Sequence, residues 1–219
     1  MAEADYLLDP PKPALDGEPA YEFMPHYLSP GKPLFSTRDI RSRAYRGLFA
    51  GGAGHTYGCN SVWQMYSAGR EGNISPLAGW KESLDAPAAQ QMQYVKKLFE
   101  SRPQLSRKPD QELIASDTGQ GEEHIRALSG DERNYGFIYV PSQTHVAVRL
   151  GLFNAEKVDA WWYDPRTGTY RDQWTHIASG TRDFLPPTAD DWVLVIDNVD
   201  KNYPVEPKAD SVTSTRDTY

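Results

Sequence analysis

The chain has 219 residues, a length that suits one or two domains and suffices to bury a sizeable core. A net charge of −7 argues against nucleic acid or an anionic membrane surface as partner, and no apolar run approaches the roughly 18 residues of a membrane-spanning helix. Aromatic residues reach 12%, with six Trp and thirteen Tyr, and such rings serve either a sugar-stacking surface or, more commonly, a Trp-rich core or interdomain seam.

The first residues, "MAEADYLLDPPKP", have no basic region and no continuous apolar segment, so they do not read as a signal peptide and leave the compartment open. Next comes "LDGEPAYE", Leu15 to Glu22, where two carboxylates follow a short apolar stretch. Paired carboxylates just past a strand end are the tools of glycoside-cleaving chemistry. Residues 23–37 hold three prolines and a glycine and read as a long loop. Ser36 and Asp39 then form a capping-box pattern. Ile40, Ala44, Leu48 and Phe49 follow at helical spacing, and Gly51-Gly52 is the stop. "AGHTYG", residues 53–58, suits a cramped barrel strand with an exposed end. The lone Cys59 excludes an intrachain disulfide and a Cys-based zinc site, and reads as an inert, partly buried thiol.

After "NSVWQMY" and a glycine-rich loop to Trp80, a second helix is predicted over residues 86–102. Asp85 reads as its N-cap, Pro87 lies in its first turn, and Pro103 ends it. Its apolar face is Ala88, Met92, Val95, Leu98 and Phe99. From Leu113 the period changes to two. The runs "LIAS", "HIRALSG", "YGFIYVP", "HVAVRLGLF", "KVDAWWYDP", "TYRDQWT", "TRDFLPP" and "DWVLVIDN" describe an all-β sandwich. Trp161, Trp162 and Tyr163 must alternate faces, so at least one enters the core while another can reach the seam. The boundary falls near residues 103–111, and the polar stretch past Val199 reads as a disordered tail.

The segments "KPALDGEPAYE", "DIRSRAYRGLFAGGAGHTYG" and "SVWQMY" resemble the closing third of the apiosidase-like glycoside hydrolases, and "VDAWWYDPRTGTY…FLPP…DWVLVID" resembles the collagen-binding domain of a collagenase that follows it in that family. The resemblance spans roughly residues 3–200 and implies an α+β chain. Residues 1–103 would be the end of a (β/α)8 TIM barrel (strands seven and eight with their helices), 104–203 a β-sandwich, and 204–219 a tail. A whole barrel needs on the order of 250 residues, so a preceding barrel segment is implied as partner. The two helices would then keep apolar faces that nothing covers.

The resemblance implies retaining hydrolysis of plant-type polysaccharide, with Glu18 as the carboxylate nucleophile and the acid on a strand outside these residues. The chain by itself would then be inactive, and whether it is an enzyme in its own right is left open. Glu22 is the alternative nucleophile or a sugar-hydroxyl contact. His55, Tyr57, Trp63 and Gln64 are the remaining substrate-binding candidates, Trp63 as a sugar platform and Gln64 as a hydroxyl-reading amide. His26, His124, His145 and His176 lack metal-ligand spacing, so neither a metal site nor a cofactor is predicted. A competing reading is a non-catalytic carbohydrate- or matrix-binding sandwich with a barrel remnant.

Overall fold

The computed structural model describes residues 2–10 and 12–205. Two short strands, β1 (Leu15–Asp16) and β2 (Gly54–His55), run parallel, with Leu15 opposite Gly54 and Asp16 opposite His55. Backbone bonds continue the pairing on either side, from Ala53 N–H to Ala14 O (2.7 Å) and from Thr56 N–H to Asp16 O (3.1 Å). Parallel strands require a crossover. Here it contains α2 (Thr37–Phe49), which α1 (Ala2–Tyr6) touches. The capping box at its start is complete: Asp39 N–H donates to Ser36 Oγ and Ser36 N–H to Asp39 Oδ2 (3.2 and 2.7 Å). Gly51, at φ +98°, turns the chain out of the helix.

Two further helices follow, the single turn α3 (Asn60–Trp63) and the longer α4 (Pro87–Glu100). The N-cap of α4 is Ala86, not Asp85, and no side chain of the cap residue bonds to the helix. The physical reason is that a remote carboxylate occupies the position: Glu22 accepts the Ala88 N–H.

The second half of the described chain is β-rich. Strands β3 (Lys108–Pro109), β4 (Arg126–Ser129), β5 (Tyr135–Val140), β7 (Lys157–Asp164), β8 (Thr169–Ile177) and β10 (Trp192–Asn198) make one antiparallel sheet in the order β3-β4-β5-β10-β7-β8. Strands β6 (Val146–Arg149) and β9 (Thr181–Phe184) pair separately. The run "LIAS" is no strand: a 3-10 turn covers Gln111–Leu113 and Ile114 makes one bridge to Val148.

The large sheet is apolar on both faces. One face, with Ile138, Trp162, Leu194 and Ile196, packs on Val146 and Val148 of the small sheet. The opposite face, with Phe137, Tyr139, Trp161, Tyr163, Val193 and Val195, packs on Ala44, Tyr45 and Phe49 of α2 and on Val95 and Leu98 of α4. Strands buried on both sides must be apolar at successive positions, which accounts for "YGFIYV" and "WVLVI". The helices therefore do not keep bare apolar faces, as the sequence pattern suggested. Each lays much of its apolar stripe on the sheet, giving three layers of helices, large sheet and small sheet.

Two buried ion pairs cross the helix–sheet interface, one beside each end of β10. Arg41 of α2 donates from Nε to Asp191 Oδ2 at 2.9 Å, and Arg102, just past α4, donates from Nη2 to Asp197 Oδ2 at 2.5 Å. Tyr139 OH also donates to Asp191, at 3.2 Å. Of the tail expected past Val199, the first residues are instead ordered: a 3-10 turn covers Val199–Lys201, and Tyr203 and Val205 pack against the interface core; residues 206–219 lie outside the described residues.

Candidate functional site

Glu18 lies two residues beyond the C-terminal end of β1, in the bend formed with Gly17 and Pro19, and its side chain is exposed. Its carboxylate accepts a long hydrogen bond from Tyr21 OH at 3.5 Å. The residue stands between two grooves. One, of about 320 Å³, runs past Asp5, Asp16 and the glycines 47, 52 and 54. The other, of about 520 Å³, includes Tyr21, Phe35, Arg43, Trp63 and Ile74. Trp63 lines this groove and is 46% exposed as a residue, and its Nε1–H donates to Asn60 Oδ1 at 3.3 Å, which holds the ring's edge. Arg43 lies over the Phe35 ring, 4.9 Å from its centre.

The remaining candidates do not join Glu18 and Trp63 in that groove. Glu22 is fully buried, and its carboxylate accepts from Thr37 Oγ1 (2.9 Å), Tyr57 OH (2.8 Å) and Ala88 N–H (3.0 and 3.1 Å). Tyr57 is thereby engaged as a donor, and burial together with the Glu22 bond pushes its phenol well above the usual range. Gln64 donates to Asn60 Oδ1 (2.7 Å) and accepts from Asn73 N–H (2.7 Å), so its amide pins the following loop. His55 and Tyr57 line a separate groove along α4 with Met92, Val95 and Phe99. Both His55 ring nitrogens are shielded from solvent and find no partner among the described residues. Burial lowers its pKa, opposed by the nearby Asp16, so the imidazole is neutral at neutral pH.

Three residues near Glu18 were not singled out in the sequence. Tyr21 is three positions beyond Glu18, Asp16 shares a register position with His55, and Arg43 sits on the exposed side of α2. The signal for Asp16 was present in the two-residue period of a strand pair; Arg43 was hidden in a helix with four arginines. Among the described residues, no group of three or more His, Cys, Asp or Glu is placed to hold a metal ion.

Residues 1–106 match a family described as "Apiosidase-like, catalytic domain", and residues 108–197 match "Putative collagen-binding domain of a collagenase". The first half of the chain thus resembles the apiosidase-like catalytic domain, and the second half the domain described beside it. Two solved structures resemble this chain over nearly its whole length. One, titled "Glycoside hydrolase", is 31% identical with a TM-score of 0.86, covering 93% of this chain and 46% of its own. The other, a glycoside hydrolase family 5 protein from Bacteroides vulgatus ATCC 8482, is 30% identical with a TM-score of 0.85, covering 92% and 44%. The chain thus spans less than half the length of either. A comparison with curated proteins gave no match.

Proposed function

We propose that this chain bears the nucleophile of a retaining glycoside hydrolase acting on plant-type polysaccharide with apiosidase-like specificity, β1 and β2 being the seventh and eighth strands of its barrel. The observation that carries the reading is the exposed Glu18 carboxylate at the C-terminal end of a parallel strand, in one groove with an exposed Trp63. Barrel enzymes do their chemistry at that end of their strands. A Glu18 oxygen attacks the anomeric carbon as the glycosidic C–O bond breaks, and the leaving oxygen takes a proton from an acid. Water then cleaves the glycosyl ester and returns Glu18 as carboxylate. The two carboxyl groups of such a pair stand about 5 Å apart. Glu22 is spent on protein donors, so the acid belongs to a further barrel segment, in the same polypeptide or a separate one. Trp63 offers an apolar ring face to a sugar.

The test joins the chain to the preceding barrel portion of one of the glycoside hydrolases on which it superposes. Glu18→Ala then lowers turnover by several orders of magnitude, and added azide restores part of it by entering the vacated space. Turnover within tenfold of the parent would place the nucleophile elsewhere.

A further inference from the structure

We infer that Glu22 is a positioning residue, a buried carboxylate that fixes the loop carrying Glu18, and not a contact to sugar; the inference rests on the role proposed for Glu18. The side chain is 0% exposed, and both of its oxygens are taken. Oε1 accepts from Thr37 Oγ1 at the start of α2 and from Ala88 N–H in the first turn of α4. Oε2 accepts from Tyr57 OH beyond β2 and from the same Ala88 N–H. The Glu22 backbone is held as well, its N–H donating to Gly58 O at 2.8 Å and its carbonyl accepting from Asn60 N–H at 2.9 Å. One residue thus joins the loop after β1 to the start of α2, the segment after β2 and the start of α4.

The anion suits these surroundings. The first N–H groups of a helix lack intrahelical acceptors and carry the positive end of its dipole. Ala86 gives α4 no side-chain cap, so Glu22 fills that role from 66 residues away. The raised pKa of Tyr57 keeps its phenol a donor.

Glu18 feels this anchor through a short tether. The loop of residues 17–21 starts at Asp16, whose carbonyl is held by Thr56 N–H, and ends at Glu22. Pro19 limits φ inside it. Tyr21 packs against Gly58, where an added Cβ would come about 2.5 Å from the ring, and Tyr21 OH meets Glu18. With both ends fixed and Tyr21 packed, the backbone that carries Glu18 is restrained.

The experiment compares Glu22→Gln with Leu98→Ala in the full 219-residue chain, by heteronuclear NMR and thermal melts. Gln keeps the volume but loses the charge and one acceptor: its NH2 faces a hydroxyl that can turn to accept, while the Ala88 N–H is left with one neutral oxygen in place of two carboxylate oxygens. Leu98→Ala loosens α4 at its buried C-terminal turn, away from Glu22. We expect Glu22→Gln to keep a cooperative melt, to speed Ala88 amide exchange at least tenfold, and to shift or broaden the signals of residues 17–21 and of the Glu18 carboxylate carbon. Leu98→Ala should lower the melting temperature and leave those signals in place. Unmoved Glu18 signals in Glu22→Gln, or equal movement in both variants, would overturn the inference. Should Glu22→Gln fail to fold, Thr37→Val removes a single donor and must move the same signals in the same direction, or the inference fails. A wrong assignment of the nucleophile would appear in the turnover of Glu18→Ala and leave these spectra unchanged.

Discussion

His55 shows how burial turns a titratable side chain into a stability term. Desolvation sets its folded pKa below the usual 6.5, so below that pH the unfolded chain binds more protons than the folded one. The stabilisation is complete above about pH 6.5 and is lost as pH falls through the folded value. Urea midpoints should therefore drop between about pH 7.5 and about pH 5, and His55→Gln should reduce that drop. His176, lowered by burial and then by Arg182, titrates in the same sense, so part of the slope survives in the variant. Equal slopes in parent and variant would remove His55 from the account. At this scale the sequence was informative about which residue types cluster near the strand ends, and much less about what each one faces. Glu18 and Glu22 look alike in "LDGEPAYE", yet one is exposed and the other fully buried. The difference comes from donors 15, 35 and 66 residues away, which no local pattern carries.

Helices α2 and α4 were legible from their own residues, because a capping box, an apolar stripe and terminal Gly or Pro are local signals. Their destination was not legible. The apolar stripes pack on a sheet from the other half of the chain, and Arg41, which reads as a surface arginine within "DIRSRAYRG", is buried against Asp191. Removing one member of a buried pair leaves an uncompensated charge. Arg41→Met should therefore cost about 3–5 kcal/mol of unfolding free energy. The double variant Arg41→Met with Asp191→Leu should recover most of that loss, since apolar residues of similar size often replace a buried pair at little cost. Denaturant melts of the three variants check this, and a double variant as unstable as the single would show that Asp191 is needed for more than Arg41, for instance for Tyr139.

Across the whole molecule, short apolar runs broken by turn residues marked the β-rich half, and consecutive aromatics at residues 161–163 divide between the two faces of the large sheet, Trp162 toward the small sheet and Trp161 and Tyr163 toward the helices. The third layer escaped the sequence because an apolar face in a strand looks the same whether a sheet or a helix covers it. The parallel β1–β2 pair, the crossover helix and the Glu18 loop make up the site-bearing part, and the sheet braces their helices from behind. The central claim is that Glu18, so held, forms a glycosyl ester. Its most direct test is the anomeric configuration of the first sugar released by the chain joined to its barrel portion, followed by proton NMR before mutarotation. Two displacements at one carbon predict a product with the configuration of the substrate, whereas a product of inverted configuration would mean that water attacks directly and that Glu18 is not the nucleophile.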